Sequence, residues 1–395
     1  MKINYLLLSA AFLISISSTA QRTAYGDGLD DLNTVPTAVP FLLISPDSRA
    51  GGMGDVGVST KPDANNIHWN SAKLAFAEGD GGLSISYTPW LSKLVDDINL
   101  AYLSYYQSLG RNQGFGLSMR YFSLGNITFT DESGNTIGSF NPNEFAIDGG
   151  YGLKLNDYLS GGVALRYIYS NLTGGQVVNG LQSRPGMSFA ADLSMYFESE
   201  EFRLNDYDAT LAVGFNVANI GNKISYTESG NRDFIPTNLR LGTTLNMEID
   251  KFNTLSVSVE GYKLLVPTPP IYGVDSATQK DVILAGMDPN VSLVQGMIQS
   301  FYDAPGGTPE ELDEIVWSTG LEYWYNQQFA FRLGYFHEAE EKGNRKYVTF
   351  GAGLRYNVFN IDFAYLVPAQ AGVRSPLENT LRFSLIFDMG SFADQ

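Results

Sequence analysis

Cysteine is absent from the 395 residues, and histidine occurs only at His68 and His337. Disulfides, thiolate metal sites, Cys nucleophiles and a polyhistidine metal centre are thereby excluded. Charge is scarce as well. Asp, Glu, Lys and Arg make up 17% of the chain, against roughly 25% in soluble domains. Base is the scarcer sign, with 25 Lys plus Arg against 42 Asp plus Glu and a net charge of −17. Nucleic acid is therefore not an expected partner, because phosphate binding needs a basic footprint. Beyond the N-terminus, no segment is apolar over the ~18 residues that a spanning helix requires. A chain of this kind enters a membrane only as a closed barrel, since lipid offers no partner to an unpaired backbone group. What is plentiful fits that option. Gly (41), Tyr (23) and Phe (24) abound, as expected for many half-buried strands.

The chain begins MKINYLLLSAAFLISISSTAQ. Lys2 precedes an apolar stretch from Tyr5 to Ile16, and Ser18, Thr19 and Ala20 close it with small residues. This pattern predicts a signal peptide over residues 1–20, cleaved after Ala20.

From residue 82 onward the apolar residues alternate. In ENTLRFSLIFDM, Leu381, Phe383, Leu385 and Phe387 share one face. In RKYVTFGAGLRYN, Val348, Phe350, Leu354 and Tyr356 do so. Period-two alternation predicts strands. Fourteen such segments lie near 82–89, 97–107, 114–124, 144–155, 158–170, 187–198, 209–219, 237–249, 252–264, 315–325, 328–336, 346–356, 360–366 and 380–389. Their lengths suit tilted strands crossing a bilayer, and an even count suits a bacterial single-chain barrel. The connections alternate in length. Short ones fall at 110–113, 156–157, 250–251, 326–327 and 357–359, with 199–208 of middling length. Long ones fall at 125–143, 171–186, 220–236, 265–314, 337–345 and 367–379. Outer-membrane barrels pair short periplasmic turns with long outer loops, and this parity predicts that both termini are periplasmic. Residues 21–80 lack alternation and are expected to plug the barrel from the periplasmic side, with residues 81–395 forming the barrel.

The face opposite the apolar one carries Arg120, Arg166, Arg240, Arg332, Arg355 and Arg382, together with Asp148, Asp192, Glu260, Glu322 and Asp362. A charge facing lipid at mid-membrane costs roughly 2–4 kcal/mol, so these groups are expected to face the lumen. An ion-selective pore carries a ring of one sign, whereas this near balance reads as a paired network. Gly52, Gly54 and Gly57 spell G-x-G-x-x-G without the strand and helix that a dinucleotide site needs, so they read as packing glycines. Ser45 before Pro46 reads as a helix cap. The acidic pairs at 310–311, 313–314 and 340–341 lack calcium-loop spacing and read as solvated loops. No cofactor, metal or catalytic set is expected. His337, at a strand end, would serve a hydrolase only with Ser or Asp in reach.

Candidate partner contacts lie in two outer loops. Trp90, Leu91, Leu94 and Val95 are in the first. In the long loop, Val266, Pro267, Pro269, Pro270 and Tyr272 precede Val294, Met297, Ile298 and Phe301, which fall at near-helical spacing.

Several blocks carry a resemblance: VPFLLISPDSRAGGMGDVGVST, HWNSAKLAF, SISYTPWL, MRYFSLG, DFIPTNLRLG, KLLVPTPP and LVPAQAGVRSPLENTLRFSLIFD. With these the chain resembles the PorV family of the type IX secretion system, itself related to FadL-type fatty-acid channels. The resemblance implies an all-β fold, a fourteen-stranded antiparallel FadL-like barrel with an N-terminal plug, in the outer membrane of a Gram-negative bacterium. It also implies a non-enzymatic role. Such a protein binds the C-terminal signal domain of secreted cargo, receives the cargo from a large translocon barrel, and delivers it to a surface attachment complex with a sortase-like protease that anchors it to lipopolysaccharide. The alternative is a FadL-like transporter of hydrophobic small molecules, which requires an apolar lumen and a movable plug.

Overall fold

The computed structural model describes residues 32–91, 97–130, 136–175, 177–178, 181–227, 232–275, 279–369 and 380–389. The expected signal peptide and the candidates Leu94 and Val95 fall outside these residues. Fourteen long strands dominate: β1 (Gly81–Pro89), β2 (Ile98–Ser108), β3 (Gln113–Leu124), β4 (Asn143–Lys154), β5 (Leu159–Asn171), β6 (Gly186–Glu198), β7 (Tyr207–Gly221), β8 (Asn238–Asp250), β9 (Asn253–Leu264), β10 (Val316–Tyr325), β11 (Phe329–His337), β12 (Lys346–Tyr356), β13 (Phe359–Pro368) and β14 (Leu381–Asp388). Each pairs antiparallel with its neighbours in sequence, and β1 pairs with β14, so the sheet closes on itself. Closure leaves no long edge unpaired, which is the condition for spanning lipid. All fourteen expected segments coincide with these strands to within a few residues.

The alternation sorts the side chains as the residue types require. Leu241, Phe331, Phe350, Leu354 and Phe383 point outward, while Ser84, Arg120, Asp148, Thr349 and Asp362 are buried within. At one end the strands are joined by tight turns. Asn326 and Gln327, at φ 51° and 52°, and Asn357, at φ 50°, take the left-handed conformation that two-residue hairpin turns demand. At the other end lie the long loops. One of them, between β9 and β10, folds into a hairpin (Ile271–Val274 with Asp281–Ala285) and two helices, α3 (Leu293–Gln299) and α4 (Thr308–Asp313).

Between β6 and β7 the register shifts, so that Ala191 pairs with Ile220 but Leu193 with Val217. The extra residue on β7 is a β-bulge. It places Asn219 at φ 60°, with its amide N–H donating to Asp192 at 2.8 Å.

Residues 38–76 lie in the interior. Val39, Phe41, Val58, Asn70 and Ala72 are at most 1% exposed. The segment contains α1 (Ser48–Gly51), α2 (Asn66–Trp69) and two 3-10 turns, Pro40–Leu43 and Ser71–Phe76. Asp47 rather than Ser45 caps α1, accepting from the Ala50 amide at 2.9 Å. The direction of travel corrects an expectation. The segment does not enter from the short-turn end. Asn33 N–H donates to the Glu341 carbonyl at 2.9 Å and Ala38 N–H to the Phe234 carbonyl at 2.8 Å, and both acceptors sit in long loops. The chain thus runs from the long-loop mouth, through the barrel, to the start of β1 at the short-turn mouth. Residues 32–37 form a strap at the long-loop rim. The end of β14 does lie at the short-turn mouth, where Met389 N–H donates to the Gly81 carbonyl at 2.9 Å.

Candidate functional site

The charges of the inward face form chains that reach into the threaded segment. Along β3, β4, β5 and β6, Arg120 meets Asp148 at 3.4 Å, Asp148 also pairs with Arg166, and Arg166 meets Asp192 at 3.0 Å. Arg120 also donates to the Leu42 carbonyl at 3.0 Å. Across the barrel, Arg332 bridges Glu322 at 2.7 Å and Asp362 at 2.6 Å. Glu322 takes a second partner from α1, Arg49, at 2.8 Å. Arg240 pairs with Glu260 at 2.8 Å, and Glu260 also accepts the amides of Gly57 and Val58 at 2.8 and 3.0 Å. Arg382 pairs with Asp55 at 2.5 Å. Ten of the eleven expected lumen charges are therefore paired inside. Arg355 is the exception. It is exposed at the short-turn mouth, with its guanidinium 4.8 Å above the Trp324 ring. Arg49 and Asp55, which sequence reasoning passed over, complete the pairing; both lie in a stretch without strand periodicity, so no face assignment was available for them.

Close approach of the threaded backbone to the wall needs glycine. Gly54 sits at φ 71°. A Cβ there would lie 2.7 Å from the Tyr335 carbonyl oxygen and 2.9 Å from that of Thr319.

The outer third of the interior is apolar. Val39, Phe41 and Leu42 pack with Leu100, Phe122, Ile168 and Ile235. A second cluster joins Tyr262, Val316, Phe336, Tyr347 and Leu366. Trp90 packs against both clusters and Leu91 against the second, so these two candidates face inward. Above them a cavity of about 490 Å³ remains between Phe41, Trp90, Val316, the strap and the loop that carries Lys342 and Arg345.

The long loop is fastened to the barrel. Lys263 on β9 meets Glu311 at 3.1 Å and Glu314 at 2.5 Å. Lys342 meets Glu310 at 2.6 Å and Glu314 at 2.9 Å. Asn33 of the strap donates to Glu310 at 2.8 Å. The acidic residues at 310–314 are thus a staple rather than a solvated patch. Burial would raise the Glu310 carboxyl, but Lys342 and the Gly306 amide hold it below its usual range. Burial pushes the Asp303 carboxyl up to about 6, with nearby Glu311 and Glu314 adding to the rise.

Beneath this loop Val266, Pro267 and Pro270 are buried, with Pro269 half-buried. Gly296 sets α3 directly on Phe234 and Pro267. The other side of the loop is open: Tyr272, Val294, Ile298, Phe301, Tyr302 and Leu284 are each more than half exposed, and Met297 is half-buried. The Nδ1 of His337 lies 3.3 Å from the Tyr335 hydroxyl, and Asp313 is among the charges that act on its ring. His68 is buried in α2 with its ring edge-on to Trp69.

A closed fourteen-stranded antiparallel barrel with a lipid-facing apolar band and a charged, filled interior defines an integral outer-membrane barrel protein. The family described as "Type IX secretion system protein PorV" matches residues 28–271. The chain belongs to that family. No curated protein matches it. Among solved structures it is similar to the toluene transporter TodX of P. putida (14% identity, 90% of this chain and 97% of that one, TM-score 0.48). It is also similar to the toluene transporter TbuX of Ralstonia pickettii (12%, 91% and 98%, 0.45) and to a FadL homologue of Pseudomonas aeruginosa (12%, 90% and 99%, 0.42).

Proposed function

We propose that this protein is a non-enzymatic carrier of the type IX secretion system. It binds the C-terminal signal domain of secreted cargo at its outer surface, receives that cargo from the translocon barrel, and passes it to the sortase-like attachment complex that links it to lipopolysaccharide. The observation that carries this reading is the stapled outer loop. Two lysines and three glutamates hold it rigidly over the barrel, and it presents Tyr272, Val294, Ile298 and Phe301 to the outside. An apolar ridge held in place above the membrane suits a protein partner. The reading as a transporter of hydrophobic small molecules has the outer cavity in its favour. Against it stands the filled lumen below, where the threaded segment is tied to the wall by Glu322, Glu260, Arg120 and Arg382.

The test is a mass-spectrometric comparison of surface, periplasmic and medium proteins between wild type and a clean deletion. Proteins that share a C-terminal signal domain are expected to leave the surface and to accumulate in the periplasm or appear unanchored in the medium. An unchanged secretome, with altered uptake of hydrophobic compounds, would replace the carrier reading with the transporter.

A further inference from the structure

The long outer loop carries an open sheet edge. Its hairpin, Ile271–Val274 with Asp281–Ala285, is a sheet of two strands that no third strand joins among the described residues. The Asp275 N–H donates to the Lys280 carbonyl at 2.9 Å, which makes these two a hydrogen-bonded pair at the turn. By the antiparallel alternation, Gly273 and Val282 then bond to each other, while Asp281 and Ile283 turn their N–H and C=O groups away from the neighbouring strand. Those groups form a free edge. Natural sheets guard such an edge with charge, proline or a covering element. Here Val282, Ile283 and Leu284 run without charge, proline or glycine, and all three are exposed. The opposite edge is guarded. Pro269 and Pro270, which have no N–H, lead directly into Ile271, and Gly273 interrupts the strand.

The hairpin is fixed at its base and open along its length. Gly286, at φ 87°, lies so near Pro270 that a Cβ would sit 3.0 Å from the proline Cα. The Thr268 N–H, just before the hairpin, donates to Asp303 at 3.2 Å. Two strands alone are marginally stable in water, and a third strand stabilises them. An edge already held in place loses little freedom when that strand arrives. Charge narrows the occupant further. Residues 265–314 hold eight acids against one base, Lys280. Asp281 begins the free edge, Asp288 lies just beyond it, and both are exposed. A segment that fits is extended, apolar in its middle and basic at its ends. We propose that the Asp281–Ala285 edge takes such a strand from the C-terminal signal domain of cargo, by backbone pairing. This rests on the carrier reading above and deepens it, because main-chain pairing tolerates differences in side chain between one cargo and the next.

The experiment uses the full-length barrel in nanodiscs and a fluorescent C-terminal signal domain from a surface protein of the same bacterium, followed by binding and by hydrogen exchange. The amides of Asp281 and Ile283 are expected to exchange about tenfold more slowly, or slower still, once the domain is bound. Ile283→Pro removes one edge donor and is expected to weaken binding about tenfold, because a carbonyl of the incoming strand loses its partner. Ile283→Val keeps the N–H and is expected to bind as the wild type does. Binding is also expected to weaken as sodium chloride rises from about 50 to 500 mM, and a lack of salt dependence overturns the basic ends. Binding of the domain without protection of residues 281–285 overturns the inference and leaves the carrier reading standing, as does wild-type affinity in Ile283→Pro. Protection by the isolated translocon barrel but not by the domain assigns the edge to the translocon and also overturns it. Absence of any binding by the domain overturns both readings.

Discussion

Arg49 and Glu322 show how single residues hold the interior together. Glu322 sits between two guanidiniums, Arg49 of the threaded segment and Arg332 of the wall, and its side chain is 2% exposed. Removing one member of a buried charge set leaves the others uncompensated, at a cost of roughly 3–5 kcal/mol. Glu322→Gln is therefore expected to lower the barrel's stability by up to about that amount, because Arg49 and Arg332, each left with one carboxylate, Asp63 and Asp362, then face each other without the charge between them. Urea unfolding in detergent, followed by heat-modifiable gel mobility, reads this directly. A change within error would mean that water reaches the pair. Most of the wall's contribution to this network was legible in the sequence, because period-two alternation assigns a face to every strand residue. Arg355 was misassigned for a simple reason. It shares the inward face but lies near the end of β12, where the lumen opens to solvent.

At the scale of elements, the long loop between β9 and β10 is the part least like a wall and most like a docking platform. Its helix α3 is seated through Gly296, and its α4 carries the staple. Asp303 gives the loop a dependence on pH. Burial raises the carboxyl to about 6 from its ordinary value of 3.8, so the folded loop binds the proton more tightly than the unfolded chain. The sign follows from linkage. The ionised form carries a penalty above about pH 6, and this penalty is relieved as pH falls from about 6 towards 3.8. Glu310 acts in the opposite sense, but only below its ordinary 4.5. The loop is therefore expected to resist limited proteolysis better at pH 5 than at pH 7.5, and Asp303→Asn to show the acid behaviour at both. Greater resistance at pH 7.5 would overturn this account. Sequence reading found α3 through its apolar spacing, yet it read the acidic run as solvated. Opposed lysines at 263 and 342, tens of residues away, turn that run into a staple, and no local pattern reports them.

At the scale of the molecule, the direction of threading decides which side sees what. Leu32 is 68% exposed at the rim where Asn33 and Ala38 bond to long-loop carbonyls. The absence of native cysteine makes a clean test available. Leu32→Cys is expected to react with a membrane-impermeant maleimide on intact cells, whereas Asn205→Cys, in a short turn, is expected to react only after permeabilisation. Labelling of Leu32→Cys only after permeabilisation would place the strap in the periplasm. The strand count and the closure into a membrane barrel both followed from the chain's own order, because alternation and turn chemistry are local and the bilayer imposes length and closure on them. The course of residues 32–76 did not follow. Those residues have no period of their own, and their shape is imposed by the wall around them. Which charges meet inside and which way the segment runs depend on side chains brought together from opposite sides of the barrel, and only the closed structure places them side by side.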